Sequence, residues 1–499
     1  MHVRIYFFTV LSLVLAGFGG ISCGGGGDGG CDPVANTGCE GGQFCEQVQG
    51  GEASCFTPVT LTGTVTDLET GQVIAGARVV ALDVNGAAVS DVAVTDASGN
   101  YTILVSSARN PDGTPVDQIF LRADASGYES FPGGLREGFP IDLSLATESN
   151  GSFTLDSSLT DIALVALPGG APSASIQGTV PIPQDQTSVL VVAEIVSGDP
   201  CPVLPQNNCS SIAGPDGSFA IYNLPAGSYN VRAFVSGSNY APVPVTLANT
   251  QVVTGVALTR QGDATATLNG NLNYVNAGAQ QTTVILAVKS TVFSRESGLV
   301  TGLKVFIRGQ TPPGLRDGDA GSTFSIPGVP DGNYLILASF ENDQLVRDPD
   351  ICISGTKIIE VSVTNGQITT SESLDNPIKI TGALEVIVPT PNQVVSATPI
   401  LTWEDDSSET GYEIIVYDSL GQVVWDARID GVSGSSTVSV TYGQAVLEEV
   451  TPPAPLQSGG FYQFHVISLK PATSGQCSNI SDYTGISQTE DLKGAFQVQ

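Results

Sequence analysis

Nine cysteines are the residues of this chain whose chemistry is most readily inferred from their spacing. The first group, from Cys31 to Cys55, lies in a segment with almost no apolar side chains. Such a segment cannot bury a core of its own, so disulfides would have to hold it together. The nine positions are Cys23, Cys31, Cys39, Cys45, Cys55, Cys201, Cys209, Cys352 and Cys477.

The four cysteines between residues 31 and 55 allow three disulfide pairings, and their spacing does not choose among them. Zinc is the sharper alternative for the group, but no histidine lies nearby and export would expose the thiols to oxidation. Disulfides are therefore the preferred interpretation. Cys201 and Cys209 are expected to close a local loop, whereas whether Cys352 and Cys477 meet is left open.

Histidine is too scarce for most catalytic arrangements. The chain contains His2 and His465 alone, so neither a histidine-based metal site nor a catalytic triad can be assembled. No Gly-x-Ser-x-Gly element in a strand-to-helix context offers a nucleophile. The sequence predicts a protein that is not an enzyme, with carboxylates paired from distant positions as the remaining alternative.

Acidic turns are the candidate metal sites. The segment 317–321 (DGDAG) fails as an EF-hand loop because Gly321 occupies the third ligand position. Residues 343–350 and 404–406 could collect calcium at a domain end, since carboxylates suit that cation. The preferred interpretation is that these carboxylates solvate loops, which predicts no cofactor and leaves calcium as the alternative.

Exposed aromatic residues would indicate a sugar-binding face, because pyranose rings stack on them. Trp425, Phe461 and Tyr240 are the candidates. Aromatic residues form only 7% of the chain and most alternate inward along strands, so core packing is preferred for all three.

The N-terminus has the anatomy of an export signal: basic residues, an apolar run over residues 5–16, then small residues. Cys23 follows these residues and precedes the glycine tract 24–30. The arrangement resembles a bacterial lipoprotein signal, which implies a signal peptide at 1–22, acylation of Cys23 and a tether with the cysteine cluster at 23–57. Setting Cys23 aside leaves eight cysteines, an even number. Cleavage by an ordinary signal peptidase, leaving a free thiol, is the alternative.

Composition favours an all-β chain of tandem β-sandwich domains, because Val, Thr, Ser and Gly dominate and glycines and prolines punctuate short alternating runs. The formal charge is 18 minus 49, or −31, and it becomes −32 when residues 1–22, which include Arg4, are removed. So acidic a surface repels phosphate backbones and anionic headgroups. Nucleic acid is excluded as a partner, and attachment to a membrane would depend on lipid.

A repeat lies in the middle of the chain. Residues 219–233 match residues 324–338 without gaps, and the shared Pro-x-Gly-x-Tyr predicts a β-hairpin. An opening strand with a central glycine recurs around Gly63, Gly178 and Gly270. The first unit resembles the carboxypeptidase regulatory-like domain, a transthyretin-like β-sandwich without catalytic residues. Three such domains are expected, at 58–170, 171–262 and 263–380, the last being divergent.

The pattern changes near residue 381. The segments around Trp403, Tyr412 and Tyr462 resemble a fibronectin type III domain, expected at 381–499 with Trp403 in its core and Tyr462 in its tyrosine corner. His465 alternates out of phase with Tyr462, so it is expected to face solvent or a sheet edge.

These resemblances imply a non-catalytic cell-envelope lipoprotein that acts in surface adhesion, scaffolding or ligand presentation. Its expected location is the outer membrane or cell surface, held by the lipid on Cys23, with a protein or polysaccharide as the unidentified ligand. The modules are expected to form a rod with the last domain furthest from the membrane. The alternative is a polysaccharide-binding accessory protein that works beside a separate enzyme.

Overall fold

The computed structural model describes most of the chain after residue 30. The described residues are 31–33, 37–133, 136–169, 171, 173–184, 186–198, 209–275, 277, 282–291, 293–296, 304–338, 345–347, 359–375, 378–432, 434–444, 446–471, 483–490 and 492–499. They form β-strands and two short 3₁₀ turns, Leu143–Leu145 and Lys289–Thr291, which confirms the predicted all-β class of tandem β-sandwiches. Within these ranges no helix has the length and apolarity needed to cross a bilayer.

The disulfide-bonded segment precedes the first sandwich. Its strands β1 (Phe44–Glu46) and β2 (Ser54–Phe56) pair antiparallel. Disulfides join Cys31 to Cys45 and Cys39 to Cys55, so the predicted small disulfide-rich segment is present.

A buried ion pair attaches this segment to the first sandwich. Glu46 and Arg109 are each 1% exposed, and Arg109 Nε donates to Glu46 Oε2 over 2.5 Å. Arg109 Nη2 also donates to the Thr57 carbonyl over 2.9 Å, and the guanidinium lies 5.1 Å from the centre of the Phe56 ring. The second Glu46 oxygen accepts from the Ser107 amide. The segment is therefore fixed to the sandwich and does not hang from it.

Module 1 comprises strands β3 to β11. They form one sheet in the order β11-β3-β10-β9, with β6 also on β3, and a second sheet in the order β5-β4-β7-β8. The strands are β3 Val59–Asp67, β4 Arg78–Leu82, β5 Ala93–Val94, β6 Asn100–Val105, β7 Gln118–Asp124, β8 Ile141–Asp142, β9 Thr147–Ser149, β10 Ser152–Asp156 and β11 Ile162–Leu164.

Module 2 comprises strands β12 to β20. Its sheets have the orders β15-β12-β19 and β14-β13-β16-β18, and β17 pairs with β20. The strands are β12 Ala174–Thr179, β13 Val189–Gly198, β14 Ser210–Ala213, β15 Ser218–Leu224, β16 Gly227–Phe234, β17 Ser238–Ala241, β18 Val243–Leu247, β19 Val252–Ala257 and β20 Thr259–Asp263.

Module 3 comprises strands β21 to β31. Its sheets have the orders β26-β21-β31-β28 and β25-β22-β27-β29-β30, and β23 pairs with β24. The strands are β21 Ala266–Val275, β22 Thr282–Val288, β23 Phe293–Glu296, β24 Lys304–Arg308, β25 Arg316–Ala320, β26 Thr323–Val329, β27 Gly332–Ala338, β28 Leu345–Arg347, β29 Ile359–Thr364, β30 Gln367–Thr370 and β31 Ile378–Gly382.

Module 4 comprises strands β32 to β41, in a sheet of order β32-β34-β37 and a second of order β33-β41-β39-β35-β36-β38 with β40 on β39. Trp403 is fully buried in its core, as predicted, and the Tyr462 hydroxyl accepts from the Gln457 amide over 2.8 Å. The strands are β32 Val386–Val388, β33 Gln393–Val395, β34 Ile400–Glu404, β35 Gly411–Asp418, β36 Val423–Asp430, β37 Thr437–Thr441, β38 Glu448–Thr451, β39 Phe461–Pro471, β40 Tyr483–Gln488 and β41 Ala495–Val498.

The recurring glycine has a common structural reason in the first three modules. In each opening strand it lies directly across an antiparallel pair from an aromatic residue, whose ring covers the space that a side chain would fill. The pairs are Gly63–Tyr101, Gly178–Phe219 and Gly270–Phe324. Each opening strand also pairs in parallel with a later strand of its module. The module boundaries near 58, 171, 263 and 381 stay predictions.

The predicted hairpin of the repeat is wrong. Strands β15 and β16, which flank Pro225, belong to different sheets, and the same holds for β26 and β27 around Pro330. The Pro-x-Gly connection therefore carries the chain from one layer of the sandwich to the other. The hydroxyls of Tyr229 and Tyr334 each donate back to the proline carbonyl four residues earlier, over 2.8 Å.

The modules pack against one another, so the expected rod is wrong. Module 4 lies against module 1: Ala495 is part of the module 1 core, Phe461 contacts Phe139 with ring centres 6.2 Å apart, and Arg136 donates to the Leu420 carbonyl. Apolar side chains on the outward faces of modules 1 and 2 join the core of module 3. They are Val80, Leu82, Ala88, Leu190, Val192, Ile212 and Phe234.

Gly178 should not tolerate alanine. A Cβ there would lie 1.8 Å from the Val256 carbonyl oxygen, so the parallel pair of β12 and β19 would have to separate. We expect Gly178→Ala to lower the free energy of unfolding by about 3 kcal/mol, measured by calorimetry. Gly262→Ala, at a glycine of the same module with no atom within 4 Å, is the control. Equal effects of the two variants would contradict this account.

Removing Arg109 should release the disulfide-bonded segment. Arg109→Ala leaves the Glu46 carboxylate buried without its cation, and we expect a loss of about 3–5 kcal/mol in protection of β1 and β2, read by hydrogen exchange. Arg260→Ala, which removes a solvent-exposed pair with Asp263, should change stability by less than about 1 kcal/mol. Unchanged exchange at β1 in Arg109→Ala would show that the pair does not hold the segment.

Candidate functional site

A cleft of about 660 Å³ lies where modules 1, 3 and 4 meet. Most of its wall comes from module 1, while module 3 supplies Thr283, Arg316 and Gly318, and module 4 supplies Pro391 and Lys493. The module 1 residues are Asp83, Val84, Asn85, Val89, Ser106, Val116, Asp117, Gln118, Ile119 and Asp142. Because three modules contribute, the cleft exists only when they are packed together.

A tight turn after β4 shapes one wall. Asp83 Oδ1 accepts from the amides of Asn85 and Ala87, both over 2.9 Å, which is the local bonding that favours Asp at the start of a turn. Its other oxygen accepts from Arg316 Nη1, so the turn is tied to module 3 by an ion pair.

The two other carboxylates of the cleft are also engaged. Asp142 Oδ1 accepts from the Ser144 amide, and its Oδ2 accepts from Asn392 Nδ2 of module 4 over 2.7 Å. Asp117 Oδ2 accepts from the Ala108 amide over 2.6 Å. Burial raises the pKa of Asp117, which disfavours a full negative charge there. These carboxylates hold the walls of the cleft together.

Two polar groups of the wall differ from these carboxylates. Asn85 Oδ1 is buried and accepts no hydrogen bond. Lys493 is half-buried, and its ammonium group has no ion pair with any residue in the described part of the chain. The cleft therefore offers one cationic donor, whereas protein atoms cover the Asn85 acceptor.

A second group of titratable residues lies on the outer face of the main sheet of module 4. Glu413 is fully buried, Asp426 is 1% exposed and His465 is 8% exposed. The expectation that His465 faces solvent or a sheet edge is wrong, because its ring packs on Tyr417 with centres 5.5 Å apart. Burial, followed by the charge of Glu413, raises the pKa of Asp426 to about 8.

The structure places the predicted cysteine sites only in part. Cys209 is in a disulfide, but its predicted partner Cys201, together with Cys23, Cys352 and Cys477, lies outside the described residues. Among the residues described, Cys31, Cys39 and Cys55 form the one group close enough to hold a metal. All three sulfurs are in disulfides, so they cannot bind zinc as thiolates.

The acidic turns accept hydrogen bonds from neighbouring protein groups where they are described. Asp317 accepts from the amides of Asp319 and Ser325. Asp406 accepts from Ser408 and from the Ser468 hydroxyl. The preferred interpretation, in which these carboxylates solvate loops, stays a prediction. In the segment 343–350, only 345–347 is described.

The three aromatic residues proposed to stack on sugars do not form a platform. Trp425 is fully buried in the module 4 core, and Tyr240 is 6% exposed in the module 2 core. Phe461 packs against the module 1 core. The preferred interpretation, core packing, holds for all three.

No protein-family model matches the chain, and no curated protein matches it. Several solved structures are similar to the chain at low identity, among them the following three. The Bacillus anthracis TIE protein is 11% identical over 66% of this chain and 51% of that chain, with a TM-score of 0.15. Two B repeat units of the Staphylococcus aureus collagen binding protein are 12% identical over 87% of this chain and 99% of that chain, with a TM-score of 0.16. A streptococcal ancillary pilin is 12% identical over 65% of this chain and 98% of that chain, with a TM-score of 0.15.

The chain thus spans about half the length of the first of these proteins. TM-scores this low carry no weight for fold or function, so both depend on the geometry of this chain. Sequence reasoning missed the cleft, because its residues lie in turns and strand ends of three modules and share no motif. The turn signal at Asp83 was present, but nothing in it indicates which module lies opposite.

The buried carboxyl of Asp426 should make module 4 less stable as pH rises. Its pKa is about 8 in the folded chain against an ordinary value of 3.8, so its contribution to stability is complete below pH 4 and is lost as the pH rises to 8, at no more than about 1.4 kcal/mol per pH unit. Asp426→Asn should flatten this dependence, measured as melting temperatures at pH 5 and pH 8. Asp430→Asn, at an exposed residue of the same strand, should retain it. If the melting temperatures of the wild-type chain and of Asp426→Asn changed equally between pH 5 and pH 8, Asp426 would not be the group that causes the dependence.

Proposed function

We propose that this chain is an exported, lipid-anchored, non-catalytic protein of the bacterial cell envelope that serves as a scaffold and presents a ligand site between its modules. In this proposal, the boundaries predicted at residues 58, 171, 263 and 381 separate the modules. Acylated Cys23 holds the assembly at the outer membrane or cell surface through the glycine tether 24–30.

The observation that carries the proposal is the docked disulfide-bonded segment. Two disulfides are typical of proteins that mature in an oxidising compartment outside the cytosol. The segment begins eight positions after Cys23, and the Glu46–Arg109 pair fixes it to module 1. A lipid at Cys23 would therefore hold the whole packed assembly close to the membrane, through a tether with a reach of about 15 Å.

The positions of the titratable residues support a non-catalytic role. His465 is buried in module 4 against Tyr417 and does not line the cleft. The cleft carboxylates of Asp83, Asp117 and Asp142 already accept hydrogen bonds from the protein. A general base must reach the proton that it removes, and these groups are committed to structure.

Acylation is tested by labelling cells with an alkynyl palmitate analogue. We expect label on the wild-type protein and on Ser22→Ala, which keeps the cysteine, but none on Cys23→Ser. Detergent-phase partitioning should follow the label, because the multiple acyl chains of a lipoprotein give stable anchoring. A wild-type protein that stays unlabelled and enters the aqueous phase would instead indicate cleavage by an ordinary signal peptidase.

A further inference from the structure

We infer that Asn150 is an acceptor for an N-linked glycan, which an oligosaccharyltransferase moves to its side-chain amide from a lipid-pyrophosphate-linked oligosaccharide. The inference rests on the export of the chain under the proposed function, because this modification belongs to secreted proteins. It does not depend on the lipid at Cys23. It follows from the sequence of one hairpin and from the way that hairpin is held in the structure.

The residues of the hairpin turn carry an acceptor signal. Residues 150–152 (Asn-Gly-Ser) match Asn-x-Ser/Thr, in which x is any residue except proline. The same pattern begins at Asn100, Asn208 and Asn479. Asn208 and Asn479 lie outside the described residues, so the structure compares Asn150 with Asn100.

Asn150 and Gly151 form the two-residue turn between β9 and β10. Both have positive φ angles, 53° and 79°, which is the type I′ geometry that asparagine and glycine adopt readily in tight hairpins. Asn150 is exposed, as are all residues of β9. Within the described part of the chain, no hydrogen bond involves its side chain. The side-chain amide therefore lies at a hairpin tip, where a bulky glycan meets solvent.

The hairpin can open without disturbing the rest of module 1. Strand β9 is the last strand of its sheet and pairs with β10. The parallel pairing of β10 with β3 begins at Thr154, so among the described pairs Ser152 and Phe153 pair with β9 only. Local opening of an edge element costs much less than global unfolding. Asn150 and the Ser152 hydroxyl can therefore enter an enzyme together while the ladder between β10 and β3 stays intact.

The other described acceptor pattern, Asn100-Tyr101-Thr102, is held much more firmly. It lies in β6, and all three residues pair with the opening strand β3. Tyr101 is 4% exposed, and its hydroxyl donates to the Thr160 carbonyl over 2.6 Å. An enzyme could reach Asn100 only if β6 left the sheet. We therefore expect Asn100 to stay unmodified in the folded chain.

Glu148 provides a charge beside the acceptor. It stands two positions before Asn150, is exposed, and its Oε1 accepts from the Gly151 amide over 3.2 Å. The carboxylate is therefore held at the turn that contains the acceptor. A cationic group of the transferase would gain a charge-assisted hydrogen bond from it. Glu148 and the Ser152 hydroxyl thus mark Asn150 from both sides.

The transfer balances with the donor named above as the other reactant. Asn150 Nδ2 forms a bond to C1 of the donor sugar, and the bond from C1 to the pyrophosphate oxygen breaks. The pyrophosphate leaves with that electron pair, and one amide proton passes to a base of the transferase. Nothing is oxidised or reduced, and the protein contributes the nucleophile and its recognition.

Glycopeptide mass spectrometry of the full chain, recovered in detergent from the cells that produce it, tests this inference. We expect a glycan on Asn150 and none on Asn100. Ser152→Ala should abolish it, whereas Ser149→Ala, at the exposed residue before the acceptor, should retain it. Glu148→Gln should lower the modified fraction relative to the unmodified one by about tenfold, the effect of losing one hydrogen bond to a charged group.

The turn at Asn365 is a matched control in the same digest. Asn365 and Gly366 also have positive φ angles, 49° and 72°, and Asn365 is exposed, but the next residue is Gln367 and offers no hydroxyl. We expect no glycan there. Conversion of both Asn150 and Asn365 to aspartate, without a glycan on either, would show deamidation common to Asn-Gly turns and would overturn the inference.

The same sample separates this inference from the proposed function. An unmodified Asn150 in a chain whose Cys31–Cys45 disulfide is intact would overturn the glycan and leave export standing. Reduced cysteines at these positions would refute export, and with it both proposals. A glycan retained in Ser152→Ala, or an equal glycan on Asn100, would contradict selection by the exposed signal. An unlabelled Cys23 on a glycosylated chain would refute the anchor alone.

Discussion

The architecture depends on sheets that bury both of their faces. In strand β13, Val189 and Val191 point into the core of module 2, while Leu190 and Val192 point into the core shared with modules 1 and 3, and all four are fully buried. Burying a side chain of this size contributes about 1.5–3 kcal/mol. Separating the modules would expose the second set, so the packed arrangement is held by the same effect that holds each sandwich.

Buried arginines make these junctions specific. Arg122, 1% exposed in module 1, donates to the Ser210 carbonyl of module 2 and to Gln310 of module 3. Arg78 donates to two module 2 carbonyls, and Arg232 of module 2 donates to the Asp331 carbonyl of module 3. A chain with 18 basic residues that commits several of them to internal junctions leaves a strongly acidic surface. The acidity of the surface therefore reflects where these arginines lie as well as the composition of the chain.

Periodicity in the sequence identified the two faces of each strand, but not which element packs against each face. Alternating apolar residues and regularly placed glycines predicted an all-β chain of tandem β-sandwiches, and the strands and sheets of the described residues confirm that class. His465 was correctly assigned to the face opposite Tyr462, but that face is buried too, which alternation cannot reveal. The Pro-x-Gly motif predicts a turn, but a turn can join two strands of one sheet or carry the chain from one sheet to the other. The cleft depends on contacts among distant modules, and no local pattern encodes them.

The location of the cleft links ligand binding to module packing. Modules 1 and 4 both line the cleft, so a ligand that contacts both walls bridges two modules that are already joined by the hydrogen bond from Asn392 to Asp142. Such a ligand binds the packed assembly and not its separated modules. By mass action, a ligand concentration about one hundred times its Kd would stabilise the packed arrangement by about 2.7 kcal/mol. The Asp83–Arg316 ion pair joins module 3 to module 1 at the same cleft, so ligand binding would stabilise the packing of module 3 as well. The ligand would therefore bind most tightly to the assembly in which modules 1, 3 and 4 are packed together at the cleft.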